Sequence, residues 1–327
     1  MNCDTFSVFT FPPPLSISSA KRLLVLLLLV AGNVLAADAV MEYRYWDWGR
    51  TPRRDDYQAK VLELALDKTR AEYGPYRIVR VVESLSTFRV RSEVAEGRRV
   101  NVHVGPWREL DKENPLDRNI AIDIPIMSGL LGYRSLIIRR EDLPRFKAIT
   151  SADQLKKLVA GQGRNWVEVP MYKRNGYRVD DSGNLKSLIP MLANKRIDYL
   201  PMSITEVSSA LAQYPEYARQ LTVAPGILIK YPLPAIFYVS PKEPELAARL
   251  RRGLTIADKD GSLDALLLRS FKDEIQASST ETTRLFTMSN PSIPKRLIRP
   301  LPSAAPCRKP GAAHGSAGAV AALPPCP

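Results

Sequence analysis

Arg134 is the residue whose surroundings most clearly require a chemical explanation. It lies in the run 129–139, whose apolar and β-branched residues predict a buried strand. A guanidinium stays charged in proteins and carries its donors in a rigid fork, so burying it costs several kcal/mol unless an anion meets it. That anion is either a carboxylate of this chain, such as Asp123, or a group on a ligand. The choice between these two decides whether Arg134 marks a binding site.

Aromatic and basic residues elsewhere are further candidates for ligand contact. Trp46 and Trp48 end the first predicted strand, where an indole either stacks on a ligand or packs in the core. The segment 161–166, Gly-Gln-Gly-Arg-Asn-Trp, can present backbone N–H groups to an anion. It lacks the Gly-Lys-Ser/Thr of a phosphate loop and more readily forms a tight turn. Arg164 in this segment would add positive charge to the edge of a cleft.

The residue types that common catalytic and metal sites require are sparse. His103 is the sole histidine of the predicted folded body, and the cysteines Cys3, Cys307 and Cys326 lie near the chain ends. A metal cluster, or a Ser–His or Cys–His pair, would have to use His103, which we expect to be structural. The adjacent carboxylates of the sequence fall in loops or caps and point in different directions, which does not predict a glycosidase. We therefore expect no cofactor and no enzyme activity.

The N-terminal residues predict export from the cytoplasm. Two basic residues (21–22) precede the apolar run 23–31, and small residues at 34–36 suit a signal peptidase. We predict a signal peptide over residues 1–36, with an uncleaved anchor as the alternative. No cysteine lies directly after the apolar run, at the predicted cleavage site, to carry a lipid, so we expect a soluble periplasmic protein.

The chain is basic, with a formal net charge of +13 at pH 7, part of which lies in the terminal segments. A charge of this size is compatible with nucleic-acid binding, but an exported protein rarely meets nucleic acid, so no nucleic-acid partner is expected. Arg50, Arg53 and Arg54 then form a solvated face or attract an anionic ligand.

Short apolar runs alternate with amphipathic helices from about residue 38 to 290, a pattern typical of an α/β protein. The run 41–46 predicts the first strand, Asp55 is predicted to cap the first helix, and Ser-Ala-Asp-Gln at 151–154 predicts a second capping box. A body of about 250 residues is long for one core and suits two. Apolar periodicity stops after residue 290, and we predict that residues 291–327 are disordered.

The order of several weak motifs resembles that of a known family. The match covers about residues 40–290 and points to bacterial extracellular solute-binding proteins of the amino-acid type (family 3), most closely their stand-alone proteobacterial branch. The segments that carry the resemblance are 57–74, 129–138, 151–158 and 196–207.

This resemblance implies an α/β, two-lobed type II periplasmic-binding fold. Lobe 1 would comprise 38–138 plus 231–290 and lobe 2 would comprise 139–230, joined by two crossover hinge strands. The ligand would bind in the cleft between the lobes, which close by hinge motion.

The resemblance also implies roles for individual residues. Arg134 occupies the place of the arginine that clamps the ligand carboxylate, which fits its bidentate chemistry. The family usually holds the ligand ammonium with an Asp, whose place here is taken by the neutral Ser203. Glu206, one helical turn on, is the alternative for that role. Trp46 and Trp48 lie where family pockets often hold an aromatic that stacks on the ligand.

The leading functional hypothesis is a monomeric periplasmic protein that binds a small anionic or zwitterionic solute, such as an amino acid, for a membrane permease. A sensing module on the same fold, coupled to a membrane signalling protein, is the second hypothesis. An enzyme similar to cyclohexadienyl dehydratase is the third, because a fold alone does not exclude chemistry.

Overall fold

The computed structural model describes residues 40–302, apart from residues 112 and 279–281. The predicted signal peptide, residues 1–36, lies outside this part of the chain. None of the helices within it is long and apolar enough to cross a membrane. The strands are β1 (Met41–Asp47), β2 (Tyr76–Val82), β3 (Val102–Pro106), β4 (Ile120–Ile122), β5 (Tyr133–Arg139), β6 (Val159–Gly161), β7 (Arg178–Asp180), β8 (Leu200–Ser203), β9 (Leu221–Lys230), β10 (Ala235–Val239) and β11 (Arg284–Thr287). The α-helices are α1 (Pro52–Asp67), α2 (Arg70–Tyr73), α3 (Thr87–Glu96), α4 (Leu143–Lys147), α5 (Ala152–Lys156), α6 (Val169–Arg174), α7 (Leu185–Ala193), α8 (Val207–Ala212), α9 (Pro244–Lys259) and α10 (Ser262–Ala277).

The first sheet has the strand order β2-β1-β3-β10-β4. Its strands β1, β2 and β3 are parallel, whereas β10 runs antiparallel to β3 and β4. Helices α1 and α9 pack together, and a Cβ on Gly253 of α9 would lie 1.9 Å from the Ala65 carbonyl oxygen of α1. The fully buried Arg249 donates to the carbonyl oxygens of Leu66 and Gly74, and so satisfies acceptors that the ends of α1 and α2 leave free.

The second sheet has the order β11-β9-β5-β8, and the parallel pair β6-β7 joins it through a bridge between Ala160 and Tyr199. Every residue of β5 is buried, so the prediction of a buried strand is confirmed. The strand begins at Tyr133, however, because residues 130–132 form a 3-10 turn after Gly129, whose φ is +76°.

The chain passes from the first sheet to the second between β4 and β5, and returns between β9 and β10. The predicted α/β class, with segments that cross between two halves, is confirmed. The predicted boundaries assigned β5 and β11 to lobe 1, but both strands pair with β9 in the second sheet. The chain thus crosses a third time, between α10 and β11.

Local sequence signals set most of the helix starts. The capping box Ser151–Gln154 is present as predicted. The prediction that Asp55 caps the first helix is wrong, because α1 begins at Pro52, a residue well suited to the first helical position. Asp55 instead accepts hydrogen bonds from the backbone N–H and hydroxyl of Thr51.

The C-terminal segment is packed where disorder was predicted. Ile293 and Leu297 are buried, and Arg296 donates to Asp123 over 2.8 Å. Arg299 forms an ion pair with Asp258. Residues 291–302 are therefore packed and not disordered, since Ile293 and Leu297 are buried despite the lack of helical periodicity, while Ile298 is exposed. Residues 303–327 lie outside the described part of the chain.

Candidate functional site

A cleft of about 500 Å³ lies between the parts of the chain that carry the two sheets. One wall comes from β1, α1, α3 and β3, and the other from segments around residues 164–168, 184–186 and 202–206. Seven cationic side chains and two carboxylates, those of Glu168 and Glu206, line the cleft. The cations are Arg50, Arg54, Arg91, Arg108, Arg134, Arg164 and Lys186.

Arg134 lies at the cleft surface but is only 5% exposed. Its Nη2 donates to Glu168 Oε1 over 2.6 Å, and its Nε donates to the Tyr231 hydroxyl over 2.7 Å. Burial opposes its charge, yet Tyr231 and Glu168 raise the pKa of Arg134 above its usual value. In this structure the anion that meets Arg134 is a carboxylate of the chain. That carboxylate is Glu168, and not Asp123.

A second buried ion pair joins Arg54 of α1 to Glu206, which directly precedes α8. Glu206 Oε2 also lies 3.9 Å from Arg134 Nη1. The Arg54 guanidinium lies over the Trp48 ring, 5.5 Å from its centre. Burial and the nearby charge of Arg134 lower the pKa of Arg54. Arg54 and Glu206 therefore connect the two walls of the cleft.

A separate cationic cluster lies on the wall of α3 and β3. Arg91 and Arg108 both donate to the same oxygen, Oδ1 of Asp117. Arg108 lies over the ring of Tyr238 at 4.5 Å, and His103 stacks on that ring at 5.1 Å between ring centres. Burial, reinforced by Arg108 and Arg91, lowers the pKa of His103 to about 3, so its imidazole is neutral at physiological pH.

The structure places five of the six predicted site residues at the cleft. Trp46, Trp48, Arg134, Arg164 and Glu206 all line it. The Trp46 indole is fixed by a hydrogen bond from Nε1 to a backbone carbonyl. The Arg164 side chain is exposed and donates to the carbonyl oxygen of Ser182.

Ser203 is the predicted site residue that the structure does not bring to the cleft. It pairs with Arg134 across β5 and β8, but it is completely buried. Its hydroxyl lies 3.0 Å from the Thr205 hydroxyl. A neutral, enclosed side chain in this position is not available to a ligand ammonium.

Sequence reasoning missed several residues of the site. Glu168 lies between a turn and α6, and nothing in its spacing related it to Arg134. Arg91 and Arg108 lie in polar segments that resemble any solvated face. His103 was predicted to be structural, and it does stack in the wall, but it also lines the cleft. The available signal was the basic composition itself.

Metal ligands are not clustered here: the described residues contain no group of three or more His, Cys, Asp or Glu side chains that could hold a metal ion.

The structure is similar to those of periplasmic ligand-binding domains. The Bordetella pertussis BvgS VFT2 domain (a double mutant) is 16% identical, with 79% of this chain and 99% of that chain covered and a TM-score of 0.49. A Streptococcus pneumoniae amino acid ABC transporter substrate-binding protein bound to L-arginine is 15% identical, with coverage of 69% and 84% and a TM-score of 0.44. An ancestral arginine-binding protein bound to glutamine is 14% identical, with coverage of 72% and 100% and a TM-score of 0.48.

No protein-family model and no curated protein matches the sequence. The similarities to solved structures assign no role to any residue of this chain.

Proposed function

We propose that the protein binds a small anionic or zwitterionic solute in the cleft between its two walls and delivers it to a membrane transporter in the periplasm. The observation that carries the proposal is the charge of the cleft, where seven cationic side chains face two carboxylates. Clustered charge of one sign inside a concave, low-dielectric surface raises the local concentration of counter-ions and the rate at which they bind.

The size and the other side chains of the cleft support a small organic ligand. Its volume of about 500 Å³ falls within the range of small-molecule sites. Three of the four tryptophans of the chain, Trp46, Trp48 and Trp166, line it. Indole rings supply rigid apolar area beside the charges, which is a combination suited to a carbon skeleton that carries an anionic group.

The proposal contains no covalent step. Ligand contacts to both walls would stabilise a closed arrangement, and a membrane permease would distinguish that form from the open one. The contact between Arg54 and Glu206 is the existing bridge on which such closure would build.

Calorimetry and thermal-shift measurements against amino acids, dipeptides and organic acids test the binding step. The charge-reversal variant Lys186→Glu removes a cation at the cleft and should weaken a bound anion, with a larger effect at low salt. Lys60→Glu is its matched control, because Lys60 is exposed on α1, does not line the cleft, and changes the net charge equally.

The proposal is overturned if no compound of the panel binds, or if the two charge reversals weaken binding equally. Delivery is tested in cells that lack the gene, which should take up the identified ligand more slowly than the parent strain. Unchanged uptake would contradict the transport role and leave the binding role standing.

A further inference from the structure

We infer that the anionic group of the ligand binds to Arg91 and Arg108 on the wall formed by α3 and β3, and that the ligand is an organic acid without an ammonium group. This inference rests on the proposed function and narrows its ligand class. It moves the anion site away from Arg134, and it favours an anion over a zwitterion.

The charged groups around Arg134 are already paired with one another. Arg134 is paired with Glu168, and Arg54 is paired with Glu206. All four side chains are at least 85% buried. Arg54 Nη2 also lies 3.6 Å from the buried Asp55 Oδ1, so two guanidiniums meet three carboxylates and this part of the cleft has no positive charge in excess. A ligand carboxylate that approached Arg134 would have to compete with Glu168 for the same donors.

The cluster on the wall of α3 and β3 has a different charge balance. Arg91 and Arg108 share a single carboxylate, Asp117, whose other oxygen accepts from the backbone N–H of Asp111. The cluster therefore has one positive charge in excess. Arg91 Nε and Arg108 Nη2 are buried and have no hydrogen-bond partner among residues 40–302 that the structure describes. Unpartnered guanidinium donors next to excess positive charge are the chemistry that a carboxylate satisfies.

His103 lies beside the same cluster. Its side chain lines the cleft, is 3% exposed, and has no partner for Nε2 in the described part of the chain. Stacking on Tyr238 holds the ring in place. The neutral imidazole has one N–H, which its hydrogen bond to the Val104 backbone uses, so His103 adds no donor for the anion. Two arginines then meet the anionic group, and the stacked His103 ring forms the wall beside them.

The cleft has no carboxylate among the described residues that is free to bind an ammonium group. The two carboxylates that line the cleft, Glu168 and Glu206, are each occupied by an arginine. An ammonium brought to either carboxylate would also approach Arg134 or Arg54, and that repulsion would offset the attraction. Ser203, the position at which the resemblance placed the ammonium partner, is buried and neutral.

Matched pairs of compounds test the ligand class by calorimetry on the full mature protein. Each pair differs by one ammonium group: succinate and L-aspartate, glutarate and L-glutamate, 3-phenylpropionate and L-phenylalanine. We expect the acid of at least one pair to bind about tenfold or more tightly than its amino acid, since a like-charge approach in a buried site costs that much or more.

Arginine variants test the location of the anion. Arg108→Gln and Arg91→Gln should each lower the affinity for that acid by about ten- to hundredfold, which corresponds to the usual contribution of a charged hydrogen bond. Arg89→Gln is the matched control, because Arg89 lies on the same helix, is 59% exposed, and does not line the cleft. Thermal unfolding without ligand reports whether each variant is folded, and Arg108→Lys, which keeps the charge, should retain part of the affinity.

The outcomes separate the two proposals. If the acids bind the Arg91→Gln and Arg108→Gln variants as tightly as the wild type, the anion site is overturned and the proposed function is left intact. Tighter binding of the amino acids overturns the ligand class, and wild-type protein alone is sufficient to show it. If neither member of any pair binds, and the wider panel also fails, the proposed function itself is overturned.

Discussion

Glu168 is the residue whose loss should cost the most stability at the cleft. It neutralises Arg134, and the two side chains are 9% and 6% exposed. Removing one partner of a buried ion pair leaves the other charge unsolvated and uncompensated. We predict that Glu168→Gln lowers the free energy of unfolding by about 3–5 kcal/mol, measured by urea denaturation.

A second change separates this electrostatic cause from a packing defect. The double variant Glu168→Gln with Arg134→Met removes both charges and should recover much of the lost stability, since well-packed apolar replacements of buried pairs are often tolerated. Glu216→Gln, an exposed site, is the control and should change little. A double variant as unstable as the single one would contradict the explanation.

His103 should make the stability of the protein depend on pH. Burial and the charges of Arg108 and Arg91 lower its pKa from 6.5 to about 3 in the folded state. Below pH 6.5 the unfolded chain takes up a proton at this site while the folded protein does not. Stability is therefore full above about pH 6.5 and is lost as the pH falls towards 3, by at most about 1.4 kcal/mol per pH unit.

The His103→Asn variant isolates this contribution. Urea denaturation at pH 7, 6, 5 and 4 should show a shallower loss of stability in the variant than in the wild type. Carboxylates titrate in the same range in both proteins, so the difference between the two slopes reports His103. Parallel slopes would show that His103 takes up its proton in the folded protein as readily as in the unfolded chain.

Two of the segments that cross between the sheets pack backbone against backbone at Gly132. A Cβ at this position would lie 1.9 Å from the carbonyl oxygen of Tyr231, and the backbone N–H of Tyr231 donates to Gly132 over 3.2 Å. We predict that Gly132→Ala destabilises the protein by more than about 3 kcal/mol, at or beyond the usual range for overpacking. Differential scanning calorimetry would measure the loss.

Gly261→Ala is the matched control for this change. Its Cβ would meet no atom within 4 Å, but its φ is +76°. That variant carries only the backbone cost of the left-handed region, about 1–2 kcal/mol. Gly132→Ala should also weaken ligand binding, because β5 and the segment after β9 carry Arg134 and Tyr231. Equal effects of the two variants would contradict a steric origin.

The elements themselves were largely predictable from local sequence. Apolar runs and capping residues marked β1, β5 and α5, because burial of one face and satisfaction of helix ends are decided within a few residues. Sheet membership was harder. The pairing of β5 and β11 with β9 was not predicted, because a strand's partners lie far away in sequence and its own residues do not show which sheet it will join.

The site was predictable only in part, for a related reason. Trp46, Trp48 and Arg134 stand out because a large or charged side chain in an apolar run requires an explanation. Glu168 and Arg108 do not stand out, because charged residues in loops are usually solvated. Their role depends on which loops the fold brings to one cleft, and single-residue reasoning does not contain that information.

At the scale of the whole molecule, the cleft is held by contacts between distant parts of the chain. Arg54 pairs with Glu206. The Gln213 side-chain amide donates to the Arg50 carbonyl oxygen over 2.7 Å, and the Arg50 guanidinium donates to the Gln213 side-chain oxygen. These contacts connect the start of α1 to the region of α8. The C-terminal segment adds a further connection by binding Asp123 and Asp258, both in or near the first sheet's half of the chain.

This C-terminal segment should be part of the cooperative folding unit. Ile293 and Leu297 are buried, and the loss of two such side chains costs about 3–6 kcal/mol in transfer free energy. A chain that ends after residue 290 should unfold at correspondingly lower urea concentration. A chain that ends after residue 302 retains both side chains and the ion pair of Arg299 with Asp258, and should match the full-length protein.

If the shorter chain proves too unstable to purify, Leu297→Ala in the full-length protein gives the same information, with an expected loss of about 2–5 kcal/mol. The exposed ion pair of Arg296 with Asp123 should contribute little, so Arg296→Gln is the control within the segment. The explanation would be contradicted if the chains ending at 290 and 302 were equally stable and Leu297→Ala left the free energy of unfolding unchanged. The segment would then behave as the disordered tail that its composition predicts. Loss of stability in the chain ending at 290 and in Leu297→Ala would instead show that two apolar side chains fix this Pro-rich segment to the fold.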